Sequence, residues 1–499
     1  MIYQIVITYI ERNKMNFNRY LSKTFLAGPL NYWLLLVFSI FTQSNLIYAQ
    51  EIDADPWSLM QEIVEAVRPP VFSDKEFNIL KFGADPTGIH SNTEVFKKAI
   101  QACTSAGGGR VLVPKGVYIT GAIHLDNNVN LHLEEGAEIK FSTNPNDYLP
   151  LVPTSFEGIE LINYSPLIYA YQKKNIAITG KGTLNGQASI DNWWAWKGSE
   201  QYGWSKGMPS QLDSLNLPQL MKMGENGISV GDRVFGPNHY LRPNFFEPYE
   251  CENVMLQGVK IIKAPFWIIH PLKSTNVIVD GVNIESHGPN NDGCDPEYSK
   301  NVIIKNSVFN TGDDCIAIKA GRDNDGRRVA VKSENIVIQN CRMIDGHGGV
   351  VIGSEMSSGV KNVFVENCVM DSPELDRAIR IKSNSKRGGI VENIFVRNLE
   401  VGNVKEALLK INLFYATYNN QTGGFIPEVR NISLENIRVA NSGQFGLLLI
   451  GHDGVPIDGI TLKNVVIQEV KEPYSLKNVI NLKLIDTYMN GKLVGLNSD

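Results

Sequence analysis

The sequence predicts an all-β chain wound into a right-handed parallel β-helix, and three observations carry that prediction. First, a nine-residue phrase recurs from residue 250 onward: NVIIKNSVF at 301–309, NIVIQNCRM at 335–343, NVFVENCVM at 362–370, NIFVRNLEV at 393–401 and NISLENIRV at 431–439, with looser copies at 253–261, 276–284 and 459–467. Each copy alternates apolar and polar residues on either side of a turn-forming Asn or Gly, which is the period of a strand and not of a helix. Second, the starts lie 23, 25, 34, 27, 31, 38 and 28 residues apart, as expected of solenoid turns with loops of variable length. One such coil cannot bury its apolar face alone and must stack on the next. Third, Asn recurs at the first and sixth positions of the phrase. Asn tolerates a left-handed backbone, and its amide can bond to the same Asn one coil away.

The elements follow in chain order. Arg19 and Lys23 precede the apolar run WLLLVFSIF at 33–41, and Ala49 offers a small residue for cleavage. Residues 1–49 therefore read as a signal peptide, with Met15 as an alternative start, and the mature chain is expected in the periplasm or outside the cell. The run is far shorter than the roughly 20 residues that cross hydrocarbon, so stable membrane insertion is not expected. Residues 50–499 read as a single solenoid domain. Its N-terminal cap spans about 75–110, where EVFKKAIQACTSAGG at 94–108 has the pattern of a helix ended by glycine. The first coils are legible at 111–120, 128–139 and 175–186. Between about 188 and 250 the period lapses into an insertion rich in Trp, Tyr, Pro and Gly. A loop that long needs a task. Trp193, Trp194, Trp196, Tyr202 and Trp204 are candidates to present ring faces to a sugar, or else to pack the insertion onto the solenoid. The segment 474–492 closes the far end.

The formal charge of -5 over 499 residues gives no global attraction for nucleic acid. Six cysteines, at 103, 251, 294, 315, 341 and 368, are too scattered for a disulfide framework. They read as small buried hydrophobes, with Cys341 and Cys368 at equivalent inward positions.

The chemistry concentrates around VFNTGDDCIAIKAGRDNDGRR at 308–328, where Asp313 and Asp314 are adjacent. Asp292, in PNNDGCDP, precedes Asp313 by 21 residues, about one coil, and neighbouring strands lie about 4.8 Å apart. Three carboxylates on one face repel each other, which raises at least one pKa and leaves another group ionised, the division an acid and base require. Consecutive residues of a regular strand face opposite ways, so the pair can share a face only if the chain bends, and Gly312 is placed to permit it. His347 lies between glycines one coil later, and Arg380 and Lys382 lie two residues apart one coil beyond. The set suits a polar, negatively charged substrate that undergoes proton transfer, with Arg able to grip a carboxylate by a forked pair of bonds. Calcium is the rival reading of clustered Asp. The spacing is not that of an EF-hand, and no Cys/His pattern suggests zinc.

With these residues in view, the chain from Phe77 to about Lys492 resembles the polygalacturonase family of pectin-degrading glycoside hydrolases, family 28. The resemblance rests on NNDG at 290–293 for the family's Asn-Thr-Asp-Gly, GDD at 312–314, GHG at 346–348 and RIK at 380–382, in family order. Asn291 departs from the family's Thr. The resemblance implies a pectin-lyase-like β-helix with an open cleft, which hydrolyses α-linked galacturonate in a pectic polysaccharide or oligosaccharide with inversion and needs no metal or organic cofactor. It implies that Asp313 protonates the glycosidic oxygen, that Asp292 and Asp314 activate water, and that His347 supports the charge state of the acid. Arg380 and Lys382 would hold a uronate carboxylate, with Asn290 as a further substrate contact. Inversion leads us to expect an acid-to-base gap of about 6.5–9.5 Å. The insertion at 188–250 and the loop at 321–328 are expected to block one end of the cleft and confine attack to chain termini, with Arg327 or Arg328 binding a second carboxylate. The expected partner is a galacturonate-containing oligo- or polysaccharide, bound as substrate by a protein expected to be monomeric, and not nucleic acid. A rhamnogalacturonan hydrolase, a pectate lyase and a non-catalytic pectin-binding solenoid are the alternatives. The paired acids favour hydrolysis.

Overall fold

The computed structural model describes residues 55–416 and 422–495. The leader read at 1–49 lies outside the described residues. The chain divides after Leu59, and among the described residues every strand lies in the unit from Met60 onward. Among the described residues no helix is long and apolar enough to cross a membrane.

The unit is a right-handed parallel β-helix. Its register puts like residues on like: Ile176, Val254, Val277, Val302, Ile336, Val363, Ile394, Ile432 and Ile460 form one continuous column of paired positions. A second column, two residues on, runs from Ile178 through Leu256, Val279, Ile304, Ile338, Val365, Val396 and Leu434 to Leu462. All of these side chains are buried, and each full burial contributes about 1.5–3 kcal/mol. The residues between the two columns point to the opposite face of the sheet, and Ala177, Met255, Ile278, Ile303, Val337 and Phe364 are apolar and buried there too. These parallel strands are therefore covered on both faces, and the strict alternation expected from the sequence holds only in part.

The phrase's first Asn forms an unbroken ladder. The Nδ2 of Asn175, Asn253, Asn276, Asn301, Asn335, Asn362, Asn393 and Asn431 each donates to the Oδ1 of the Asn one coil earlier, beginning at Asn128. Every member of this donor series has a positive φ, from 54° to 62°, a conformation that Asn adopts at lower cost than other side-chained residues. The sixth position repeats the device, as in Asn436 to Asn398 and Asn464 to Asn436.

Helix Thr93–Ser105 buries Phe96, Ala99, Ile100 and Cys103 at the N-terminal end. At the other end Lys483–Met489 turns back antiparallel onto Lys492–Leu493. All six cysteines are buried and free, with Cys341 and Cys368 in side-chain contact on successive coils. The insertion at 188–250 contains helix Leu217–Glu225 and short 3-10 turns at Trp193–Lys197, Glu200–Tyr202 and Val230–Asp232.

A second parallel sheet carries the site. It comprises Ile316–Ile318, Val350–Gly353, Arg377–Lys382, Ala407–Asn412, Phe445–Ile450 and Glu472–Lys477. Single bridges continue its rungs upstream from Ile316 to Cys294, Ile269 and Phe246, and Phe246 pairs in turn with Ile168. Residues far apart in sequence thus become neighbours about 4.8 Å apart along one face.

Candidate active site

Strand Val308–Thr311 ends just before the paired acids and Ile316–Ile318 begins just after them, so Asp313 and Asp314 occupy the corner between two sheets. Gly312 is needed there for space: a Cβ on it would lie 2.6 Å from both the Gly288 carbonyl oxygen and the His287 carbonyl carbon of the preceding coil. Its φ is not in the left-handed region. Close backbone approach, and not the conformational freedom expected from the sequence, is therefore what excludes a side chain.

Asp292 stands one coil below. Its backbone is tied to the corner through Gly293 N, which donates to the Asp314 carbonyl at 3.0 Å. Asn291, the departure from the family pattern, is fully buried and tightly engaged. Its Oδ1 accepts from Ser286 Oγ at 2.6 Å and Gly288 N at 2.8 Å, while Nδ2 donates to the carbonyls of Ala264 and Phe266 at 3.2 Å each. The substitution therefore fixes the turn that presents Asp292.

One oxygen from each of Asp292, Asp313 and Asp314 lies within 4.8 Å of the others. That approach is closer than the gap of about 6.5–9.5 Å expected from opposed carboxyls, because the three are side by side on one floor. Each already faces a protein cation. Lys319 Nζ is 3.3 Å from Asp292 Oδ2, Lys382 Nζ is 2.7 Å from Asp314 Oδ2 with Arg380 at 3.7 Å from Oδ1, and His347 Nδ1 is 2.9 Å from Asp313 Oδ1. A divalent ion bound here would compete with all of them. Asp292 Oδ1 and Asp314 Oδ1 are buried without a protein hydrogen-bond partner among the described residues.

Burial, reinforced by the Asp313 charge, pushes the Asp292 carboxyl up to about 7 against the pull of Lys319. At Asp313 burial also acts upward, but the His347 bond and charge, with Lys382 and Lys319, outweigh it and hold the carboxyl well below its ordinary range. His347 is raised in return, chiefly by its bond to Asp313. Burial, more than the repulsion expected from the sequence, is what favours a proton on Asp292. Protonation is therefore favoured at Asp292 and at His347 and disfavoured at Asp313, while Asp295, buried beside Asp292, is raised well above the ordinary carboxyl range by burial and the Asp292 charge.

The cleft above this floor encloses about 580 Å³. Asn290, Asp292, Asp313, His347, Arg380 and Lys382 line it, while Asp314 lies beneath, fully buried. The Asn290 Oδ1 accepts from Lys197 Nζ at 2.8 Å and from Arg242 at 2.9 Å, both from the insertion. Arg327 and Arg328 correct the sequence reading, because neither lines the cleft. The Arg327 guanidinium lies 3.6 Å over the Phe425 ring and donates to the carbonyls of Lys386 and Arg387. Arg328 is bonded to Asp325 and Glu160. The guanidinium that this loop gives the cleft is that of Arg322, with Arg387 from a later coil.

Of the insertion aromatics, Tyr202 lines the cleft. Trp193 is buried against Tyr148 and Trp196, and Trp194 Nε1 donates to the Ala264 carbonyl at 2.9 Å. Trp204 Nε1 donates to the Met208 carbonyl. Sequence reasoning missed Trp267, Lys319, Glu355 and Tyr415, which also line the cleft. Lys319 carried a signal: a cation inside the apolar alternation CIAIKA is costly unless it is paired.

Comparison with known proteins gives a consistent picture. Residues 237–484 match Glycosyl hydrolases family 28. The crystal structure of a hyperthermoactive exopolygalacturonase from Thermotoga maritima is 44% identical, with a TM-score of 0.84 over 88% of this chain and 96% of that one. An exo-poly-alpha-D-galacturonosidase from Dickeya chrysanthemi is 30% identical over 74% of this chain, which spans 62% of that protein's length. A probable polygalacturonase from Vitis vinifera is 26% identical over 78% of this chain and 74% of its own.

Proposed function

The chain belongs to glycosyl hydrolase family 28, and on that premise we propose that it hydrolyses the α-linkages of galacturonan, removing residues from chain ends with inversion at the anomeric carbon. The observation that carries this reading is the cluster of Asp292, Asp313 and Asp314, within 4.8 Å of one another, below a cleft wall that holds Arg380 and Lys382. The exo mode is supported by the 44% identity to the Thermotoga maritima enzyme. The stereochemistry rests on family membership, since side-by-side carboxyls do not select it by spacing.

The charges suggest how the proton reaches its place. A uronate carboxylate arriving at Arg380 and Lys382 offsets the positive field that holds Asp313 ionised. The proton on His347 Nδ1 then passes along the 2.9 Å bond to Asp313, which delivers it to the glycosidic oxygen as the C–O bond breaks. Water held by the unpartnered oxygens of Asp292 and Asp314 attacks the anomeric carbon. Asp292 and Asp314 orient this water between them and take its proton, with Lys382 and Arg380 holding the Asp314 carboxylate in place. General acid and base assistance of this kind contributes about 10²–10⁴-fold.

The leader pattern at 1–49 supports action outside the cytoplasm, on pectic material. The deciding experiment is product analysis on polygalacturonate and on rhamnogalacturonan, read together for size, saturation and anomeric configuration. Saturated monogalacturonate released with inverted configuration from polygalacturonate is the expected result. Retained configuration would overturn the mechanism, an unsaturated product would identify a lyase, and turnover of rhamnogalacturonan alone would reassign the substrate.

A further inference from the structure

One element leaves the solenoid and returns to the cleft from a distance. Strands Val152–Phe156 and Ile159–Asn163 form an antiparallel hairpin outside the two long sheets. The hairpin precedes the rung of Ile168, yet it contacts the rungs that come after it. Thr154 Oγ1 donates to Glu247 at 2.8 Å and Ser155 Oγ to Glu297 at 3.2 Å. At the tip, Arg322 N donates to the Gly158 carbonyl at 2.9 Å, and a Cβ on Gly158 would sit 2.9 Å from Glu355 Cγ. Arg322 and Glu355 come just after the rungs of Ile316 and Val350. The hairpin therefore lies along the solenoid axis on the upstream side. A five-residue strand is about 17 Å long, enough to pass three or four rungs of about 4.8 Å.

Its seat is rigid. The buried Glu160 carboxylate is bonded by Tyr249, Lys273 and Arg328, and Asp325 accepts from Glu160 N at 3.0 Å and from Arg233 at 2.8 Å. Arg328 thus anchors this hairpin. Buried charges are expensive, and their main return is fixed geometry. The two turn residues, Glu157 and Gly158, have φ of 46° and 80°. A turn with both residues left-handed favours Asn-Gly, so Glu at the first position is an unfavourable local choice. Such strain points to a task for the side chain. The Glu157 side chain lines the cleft and is held by Arg322 Nη1 at 2.7 Å.

We propose that this hairpin is the stop that confines attack to chain ends, and that Glu157, oriented by Arg322, reads the terminal sugar. This rests on the exo reading above. A polymer lying along the sheet meets the tip at the rungs next to the three aspartates. A terminal sugar offers Glu157 a free hydroxyl, which donates to its carboxylate. An internal residue would instead direct the rest of an anionic chain at the hairpin and bring a uronate carboxylate against that of Glu157. Specificity then comes from repulsion as much as from attraction.

The test compares the unmutated protein with Glu157→Ala and Glu157→Gln on free-ended hexagalacturonate and on the same oligomer blocked at one end, either unsaturated at the non-reducing end or reduced at the other. The unmutated protein discriminates against one blocked form. Glu157→Ala is expected to lose on the order of tenfold or more in kcat/KM on the free-ended oligomer, with little change on the blocked one, so that the ratio collapses. Glu157→Gln keeps an acceptor and retains part of the ratio. An unchanged ratio in Glu157→Ala with an unchanged melting temperature overturns the proposal, and an unchanged ratio in Glu157→Gln overturns it if the alanine variant does not fold. A ladder of oligomers from polygalacturonate with the unmutated protein removes the exo reading and the stop together, whereas monomer release with an unaffected ratio removes the stop alone.

Discussion

Lys319→Met is the substitution whose outcome the geometry constrains most tightly. Lys319 Nζ lies 3.3 Å from Asp292 Oδ2, 3.8 Å from Asp295 Oδ1 and 3.3 Å from Glu355 Oε2, and the ammonium also sits 4.8 Å from the Trp267 ring centroid. Met keeps most of the stem's volume and removes the charge. Two unit charges about 4 Å apart at an effective dielectric constant of about 20 interact by about 4 kcal/mol, and one pKa unit corresponds to about 1.4 kcal/mol. The loss acts on each carboxylate separately and should raise the Asp292 carboxyl by at least about one unit, and by up to about three where no other cation takes over. For Asp292, already near about 7, this pushes ionisation to higher pH. If ionised Asp292 orients the attacking water, the acid limb of kcat/KM moves upward by at least about one unit, and activity on the acid side falls at least about tenfold at fixed pH. Stability should fall by about 3–5 kcal/mol, because the remaining buried acids lose their counter-ion. The assay is kcat/KM on oligogalacturonate from about pH 5 to pH 9, with circular dichroism to verify folding. An acid limb that stays in place in a folded variant would show that Asp292 is not the group titrating there, and the water-orienting role would fall with it.

Three further outcomes are expected from the same structure. Asp313→Asn should slow the chemical step by about 10²–10⁴-fold with little change in melting temperature; normal turnover would remove Asp313 from proton transfer. Asn335→Ala should cost about 2–4 kcal/mol in denaturant unfolding, since it loses ladder bonds to Asn301 and Asn362 and forces a Cβ without a compensating amide into φ 58°. Asn335→Gly loses the bonds but not the conformation, and should cost less; equal losses would contradict that separation. His270 is buried between Glu247 and Glu297, at 3.1 and 3.0 Å. Burial there favours the neutral ring, but the two carboxylates outweigh it and raise the imidazole from 6.5 to about 9. Its contribution is fully present below about pH 6.5 and is lost as pH rises through about 9, a span worth roughly 3 kcal/mol. Stability measured by denaturant midpoint should decline across that window, and the decline should flatten in His270→Gln.

The features legible in the sequence are those that the coil repeats. Ile336 and Val363 pair because each coil presents the same position to the next, and Asn335 meets Asn362 for the same reason. Asp292, Asp313 and Asp314 converge because one coil separates them. The sequence could not show which cations answer those acids. Arg322, Arg327 and Arg328 belong to one charged loop, and only contacts with Glu157, Phe425 and Glu160 distinguish cleft from anchor. The hairpin at 152–163 was invisible for the same reason, since its partners lie 93 and 142 residues away at Glu247 and Glu297. The direction in which each acid is pushed was equally hidden, because it depends on the burial of Asp292 and on the 2.9 Å bond between His347 and Asp313. The sequence by itself determined the solenoid, its ladders and the acids on its face, because stacking makes register a local, repeated property. The tertiary structure alone decided the charge state of those acids and the closure of the cleft, because both arise where loops of unrelated coils meet in a region shielded from water.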